Sequence, residues 1–123
     1  MTETAISTTM STLIIFTSDM RRLADFYGTG LALGEAAPTG TEHLGFQLPN
    51  IYFGFDQIEV GQQYPGAATP WFEVDDLDAV YARFLSLGAG VRYEPSRKPW
   101  GGYLASLYDP DGNLFGISQR AEG

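Results

Sequence analysis

Apolar residues recur at helical spacing in two stretches of the chain. In the stronger stretch, Leu77, Val80, Phe84 and Leu87 are separated by three, four and three positions, which places them on one face of a helix. Asp76 precedes this stripe and is suited to the N-cap, since its carboxylate can accept a hydrogen bond from a free backbone N–H of the first turn. The pattern predicts a helix that begins after Asp76.

The other helical stretch lies near the start of the chain and reads "SDMRRLADFYGTG". Ser18 or Asp19 is suited to its N-cap, and Gly28 or Gly30 is suited to its end. The pattern therefore predicts a first helix of about three turns. Its apolar stripe consists of Met20, Leu23, Phe26 and Tyr27.

Short segments rich in β-branched and aromatic residues alternate with turn residues around both helices, which is typical of strands. One such segment precedes each helix and the others follow it. A tight turn, "DPDGN", precedes the last strand, and we interpret Asp109 and Asp111 as turn-forming residues rather than catalytic acids. The predicted strands cover residues 12–16, 43–48, 51–56, 70–74, 90–94, 102–108 and 113–118.

The same order of elements occurs twice, which indicates an internal duplication. Thr12 lies seven positions before Asp19, and Thr69 lies seven positions before Asp76, so both pairs are offset by 57 residues. A βαβββ unit alone would leave one sheet face uncovered, so two units should pack together in an α+β fold. We expect one domain with an N-terminal arm (1–10), a first module (11–60), a linker (61–68) and a second module (69–120).

The period of two along each strand predicts which side chains lie under the helices. Phe72 and Val74 should face the second helix, and Phe115 and Ile117 should do the same. The opposite, open face then collects aromatic rings, threonines, glycines and one carboxylate. These open-face residues are Thr12, Ile14, Phe16, Tyr52, Gly54, Thr69, Trp71, Glu73, Leu114, Gly116 and Ser118.

Composition excludes several classes of function. The chain has no cysteine and one histidine, so disulfides, thiolate metal sites and a three-histidine site within one chain are excluded. A net charge of −8 argues against a nucleic-acid partner, because phosphate binding needs clustered Lys and Arg. We find no membrane span and no signal peptide in the sequence, and we expect a cytoplasmic location.

Three stretches resemble a known family: "FTSDMRRLADFY", "FEVDDLDAVYARFLSLGA" and "KPWGGYLASLYDPDGN". Together they resemble the vicinal oxygen chelate superfamily, which contains glyoxalase I, extradiol dioxygenases and bleomycin-resistance proteins. The resemblance covers residues 11–119. It implies two tandem βαβββ modules that form a curved mixed sheet around a cup, and it implies a homodimer.

The resemblance also implies where metal-dependent members would hold their metal. The corresponding positions in this chain are Thr12, Gly54, Thr69 and Gly116. A threonine hydroxyl is a poor neutral ligand and glycine has no side chain, whereas divalent metals take imidazole, thiolate or carboxylate groups. We therefore expect no metal at these positions and no cofactor.

The remaining candidates are aromatic and acidic. Aromatic rings bind flat molecules by stacking and cations through their quadrupole, although most aromatic residues belong to the core. Glu73, next to Trp71 and facing the cup, would pair with a ligand cation or with an Arg at the rim. His43 with Glu42 would be a general base, a displaced metal site or merely an exposed pair. The candidate aromatic pocket consists of Phe16, Tyr52, Trp71, Trp100 and Tyr103.

Three functional hypotheses follow. The first is metal-free binding of a small flat or cationic organic molecule, as in antibiotic-sequestering members of the family. The second is an enzyme, a lyase, isomerase or dioxygenase-like protein that uses Glu73 or His43 or holds a relocated metal. The third is a domain whose cup is filled by its own side chains or by a partner, with an interaction role only.

Overall fold

The computed structural model describes residues 10, 12–59 and 68–120. The predicted N-terminal arm and linker lie almost entirely outside these residues. The predicted α+β fold with two βαβββ modules is confirmed. The first module comprises β1 (Thr12–Thr17), α1 (Met20–Gly30), β2 (Ala37–Pro38), β3 (His43–Gln47) and β4 (Tyr52–Gln57); the second comprises β5 (Trp71–Val74), α2 (Leu77–Ser86), β6 (Gly90–Arg97), β7 (Tyr103–Tyr108) and β8 (Leu114–Gln119).

Each module forms a four-stranded mixed sheet. The first sheet, here called sheet A, has the order β1-β4-β3-β2, and the second, sheet B, has the order β5-β8-β7-β6. In each sheet the strand before the helix pairs in parallel with the last strand of the module, and the other pairs are antiparallel. The duplication inferred from the sequence is therefore also a duplication of strand order.

Both helices begin where the sequence predicts. The carboxylate of Asp19 accepts a hydrogen bond from the Arg22 backbone N–H at 3.1 Å, so Asp19 rather than Ser18 is the N-cap of α1. Asp76 caps α2 in the same way through the Ala79 N–H at 3.2 Å. Among the described residues no helix is long and apolar enough to cross a membrane.

One core holds the two modules together. The Tyr27 ring on α1 lies 5.2 Å from the Phe53 ring of sheet A and 5.2 Å from the Phe115 ring of sheet B. The helices also meet, with the Phe26 and Phe84 rings 5.0 Å apart. The helix-covered faces of the two sheets therefore share this core, and the open faces of the sheets lie on the outside of the chain.

The predicted facing of the strand residues is confirmed. Phe115 and Ile117 are fully buried under the helices, and Phe72 packs against the same core. On the open faces, Phe16 remains 46% exposed and Trp71 remains 47% exposed. Large aromatic surfaces are thus left on the side of each sheet that no helix covers.

The "DPDGN" turn connects the second module to the first. The buried Asp109 accepts hydrogen bonds from the Tyr27 hydroxyl at 2.8 Å and from the Asp111 and Asn113 backbone N–H groups at 2.9 Å. The Thr17 hydroxyl of β1 donates to the Asp111 carboxylate at 2.5 Å. The two aspartates therefore form the turn, as predicted, and they also attach it to α1 and β1.

Candidate functional site

On sheet B, the Trp71 indole lies flat over Gly116. These residues are register partners on the neighbouring strands β5 and β8, and a Cβ atom at Gly116 would overlap the indole ring. The space at Gly116 that the sequence assigned to a ligand therefore contains the Trp71 ring. Glycine at this position lets the indole use one face for packing, while the half-exposed ring offers aromatic surface to solvent.

Glu73 lies two positions further along the same strand and takes part in an ion-pair cluster at the rim. Its carboxylate is 3.6 Å from Nε of Arg120, which is also 3.0 Å from the Asp75 carboxylate. The Glu73 side chain is 60% exposed, so this is the salt bridge to an arginine that the sequence left open. Because two carboxylates share one guanidinium, the cluster keeps a net negative charge.

A groove of about 740 Å³ lies beside Trp71, between the two modules. Asn50, Thr69 and the Glu73–Arg120 pair contribute its polar lining among the residues that the structure describes. The rest of that lining is mostly apolar and includes Leu13, Leu48 and Phe53. The groove therefore continues the aromatic surface of Trp71 into an apolar depression.

The structure does not bring the other two aromatic candidates of the second module to Trp71. Trp100 is 74% exposed in the turn between β6 and β7, whereas Trp71 lies on β5 at the opposite edge of sheet B. Tyr103 lies on the helix-covered side, where its hydroxyl donates to Asp78 of α2 at 2.7 Å. This hydrogen bond raises the pKa of Tyr103, because it stabilises the protonated phenol.

On sheet A, the open face brings together the other four candidates. Thr12 and Tyr52 are register partners on β1 and β4, and Gly54 follows two positions after Tyr52 on the same face. Phe16 lies further along β1, opposite Asp56. The first-module candidates are therefore neighbours on one surface, separated by the core from the candidates on sheet B.

A hydrogen-bonded chain of three side chains crosses this surface. His43 Nδ1 lies 2.5 Å from Oδ1 of Asp56, and His43 Nε2 lies 2.6 Å from the Tyr52 hydroxyl. The sequence offered His43 only with Glu42 and did not identify this chain. The signal that could have found it is the tight connection at 48–51, which sets the hairpin register and places His43 opposite Asp56.

An open groove of about 940 Å³ lies at the His43 and Asp56 end of this chain. Phe16 lines it together with the carboxylates of Glu42 and Glu59, and no Lys or Arg is among its described lining residues. Glu42 is thus close to His43 in space as well as in sequence. The groove offers an acidic and partly aromatic environment beside the imidazole.

The four positions implied for a metal do not fit one. Thr12 and Gly54 belong to sheet A, whereas Thr69 and Gly116 belong to the second module. A Cβ at Gly54 would lie 2.6 Å from Cε1 of His43, so the missing side chain there makes room for protein atoms, as it does at Gly116. In the described part of the chain, no group of three or more His, Cys, Asp or Glu could hold a metal ion.

Comparison with known proteins supplies a family. Residues 8–117 match the model of the Glyoxalase/Bleomycin resistance protein/Dioxygenase superfamily. No curated protein sequence matches the chain.

Solved structures with low sequence identity share the fold. A glyoxalase/bleomycin resistance protein from Albidiferax ferrireducens T118 is 24% identical, with a TM-score of 0.76 over 91% of this chain and 98% of its own. A glyoxalase/bleomycin resistance protein/dioxygenase family enzyme from Burkholderia phytofirmans PsJN is 22% identical, with a TM-score of 0.79 over the same shares. Lactoylglutathione lyase from Agrobacterium tumefaciens is 16% identical, with a TM-score of 0.69 over 93% and 95%.

Proposed function

We propose that this chain, which belongs to the Glyoxalase/Bleomycin resistance protein/Dioxygenase superfamily, binds a small flat or cationic organic molecule against Trp71 without a metal. The observation that carries the proposal is the Trp71 ring, held flat over Gly116 and left 47% exposed. A ring fixed in this way stacks on a flat ligand without first losing much side-chain freedom. Binding without turnover is also how antibiotic-sequestering members of the family would act.

The surroundings of Trp71 suit such a ligand. The adjoining groove of about 740 Å³ is large enough for a drug-sized molecule. Its mostly apolar lining would cover the flat part of the ligand, while the net negative Glu73–Asp75–Arg120 cluster would attract a positive group. The positions that would carry metal ligands supply only hydroxyls and glycines, which supports binding without a metal.

The structure does not favour Glu73 as a general base. A catalytic carboxylate gains basicity from desolvation, whereas Glu73 is 60% exposed and lies close to the Arg120 guanidinium. Glu73 therefore fits a role in attracting a ligand cation better than a role in proton transfer.

Removing the indole should weaken binding strongly. We expect Trp71→Ala to reduce the affinity for ethidium, a flat aromatic cation, by about 10- to 100-fold, since base–aromatic stacking contributes roughly 1–3 kcal/mol. Because the chain has two tryptophans, Trp100→Phe leaves Trp71 as the only indole fluorophore. Titrating this variant with ethidium, and measuring the affinity of Trp71→Ala by calorimetry, tests the proposal.

Trp100→Ala is the matched control, because Trp100 is the other exposed indole and lies across sheet B. It should bind ethidium as the unmodified protein does. Glu73→Gln should weaken ethidium by only about two- to fivefold, as an exposed charge contributes little, and should spare the neutral acridone. Equal affinities in the unmodified protein and Trp71→Ala, or no binding of either compound, would overturn the proposal.

We also propose that the chain forms a homodimer in which the open faces of two copies cover each other. Each open face leaves a large aromatic side chain about half exposed, and closing a cup over Trp71 needs a second surface.

Phe16→Asp should convert the dimer to a monomer in size-exclusion chromatography with light scattering. Val91→Asp, on the helix-covered side of β6 with comparable exposure, should leave the mass unchanged. A monomeric unmodified protein would contradict this proposal.

A further inference from the structure

A row of three hydrogen-bonded side chains, Asp56, His43 and Tyr52, lies on the open face of sheet A. We propose that it is a proton relay that makes the Tyr52 hydroxyl a nucleophile toward an activated carbonyl carbon. This goes beyond the binding proposed at Trp71, because it assigns chemistry to the other sheet. Within one chain the core separates the two sites, and they have separate readouts: ethidium binding reports on Trp71, and acetylation reports on Tyr52.

For an ionised carboxylate and a neutral imidazole, the hydrogen bonds can run in only one direction. An ionised Asp56 carboxylate can only accept, so His43 must donate its Nδ1–H across the 2.5 Å contact. In the neutral imidazole, Nε2 then carries the lone pair, and the Tyr52 hydroxyl must donate to it across 2.6 Å. The arrangement is that of a hydroxyl, a base and an orienting carboxylate, with a phenol in the place of an alcohol.

Two glycines make this arrangement possible. Gly45 and Gly54 are register partners on β3 and β4. His43 lies two positions before Gly45, and Tyr52 lies two positions before Gly54, so each ring is diagonally opposite one of the glycines. A Cβ at Gly45 would overlap the Tyr52 phenol, and one at Gly54 would lie 2.6 Å from the His43 ring. Both rings therefore lie over strand positions without side chains, which brings the phenol oxygen to the imidazole nitrogen.

His43 and Asp56 are not buried deeply enough to need hydrogen-bond partners from the protein. The His43 side chain is 20% exposed and that of Asp56 is 39% exposed, so water could hydrate their polar atoms. The contacts of His43 with Asp56 and with Tyr52 nevertheless hold both polar partners within hydrogen-bond reach of the imidazole. In the single chain His43 and Asp56 are therefore reachable by a solute, and their polar atoms are already positioned for proton transfer.

The expected reaction can be written with a simple ester, p-nitrophenyl acetate. The Tyr52 hydroxyl oxygen forms a bond to the acetyl carbon while its proton moves to His43 Nε2. The bond from that carbon to the p-nitrophenoxy oxygen breaks, p-nitrophenolate leaves, and the imidazole releases the proton to water. The product is O-acetyl-Tyr52, and no oxidant or further reactant is needed.

The test is to treat the protein with p-nitrophenyl acetate and to follow acetylation of individual tyrosines by peptide mass spectrometry. We expect Tyr52 to react at least about tenfold faster than Tyr108, since general-base assistance is worth roughly 100-fold or more. Tyr108 is a suitable internal control because it is 39% exposed on sheet B. His43→Gln should lower the Tyr52 rate to that of Tyr108, and Asp56→Asn should lower it less.

Nuclear magnetic resonance gives a second readout that needs no variant. Because His43 is the only histidine, every imidazole ¹⁵N signal of the chain reports on it. We expect the proton on Nδ1 and a hydrogen-bonded lone pair on Nε2. A proton on Nε2 of the neutral ring, a Tyr52 rate equal to that of Tyr108, or an unchanged Tyr52 rate in a folded His43→Gln variant would each overturn the proposal.

Discussion

Replacing Asp109 with alanine is expected to lower the free energy of unfolding by about 3–5 kcal/mol, because it leaves the buried Tyr27 hydroxyl and two part-buried backbone N–H groups without an acceptor. The Tyr27 hydroxyl, at 0% exposure, would lose its acceptor, and the Asp111 and Asn113 backbone N–H groups would lose theirs. Each unsatisfied buried group costs roughly 1–3 kcal/mol. Urea unfolding followed by fluorescence measures the loss.

Asp111→Ala is the control for the same turn. Asp111 is exposed and accepts one side-chain hydrogen bond, from the Thr17 hydroxyl, so its removal should cost only about 1 kcal/mol. Tyr27→Phe should fall between the two, since Asp109 would keep its contacts with Asn113 and Asp111. If Asp109→Ala costs no more than Asp111→Ala, the turn does not anchor the second module to the first.

The pH dependence of Asp109→Asn gives an independent check of the same site. Burial raises the pKa of Asp109 above its ordinary value, and its hydrogen bonds lower it by less. A raised folded pKa means that this group stabilises the fold below the unfolded pKa and that the contribution is lost as pH rises through the folded pKa. The asparagine variant lacks this loss, so its deficit relative to the unmodified protein should shrink as pH rises through that range.

The fold could be predicted from the sequence because each of its determinants is local. The stripe at Leu77, Val80 and Phe84, together with the aspartate before it, specifies α2, and all three apolar residues are buried. The alternation in β8 correctly placed Phe115 under the helices and Gly116 on the open face. The period of two residues in a strand, or of 3.6 residues in a helix, determines on which face of the element a side chain lies, independently of the rest of the chain.

The contents of the site could be predicted only in part, because they depend on contacts across strands. The sequence placed Trp71 and Gly116 on the same face, but it could not show that the indole packs flat over the glycine on the neighbouring strand. Likewise, the alternation of residues along β7 cannot predict the hydrogen bond from Tyr103 to Asp78, because this contact depends on how α2 packs over β7. To predict the hydrogen-bonded chain from Asp56 through His43 to Tyr52, one must know the register of the β3–β4 hairpin as well as the face on which each side chain lies.

For Gly30→Ala, helix propensity and core packing predict changes of opposite sign in the free energy of unfolding. Gly30 is the last residue of α1, and helix propensity alone would favour alanine by up to about 1 kcal/mol. A Cβ at Gly30 would, however, overlap the Phe84 ring, which is fully buried between the two helices. Overpacking of a rigid core costs roughly 1–3 kcal/mol and occasionally more. We expect packing to win, with a net loss of about 2 kcal/mol and a melting temperature lower by roughly 8 °C.

Two further variants separate the overlap from a general effect at the end of the helix. Thr29→Ala changes the neighbouring exposed residue and should alter the unfolding free energy by no more than about 0.5 kcal/mol. Phe84→Leu alone should be destabilising, but combined with Gly30→Ala it should cost less than the sum, because the smaller side chain makes room for the new methyl group. A double-mutant cycle from chemical denaturation measures this coupling. Purely additive effects would show that Gly30 does not define the close approach of α1 and α2 around which both modules share their core.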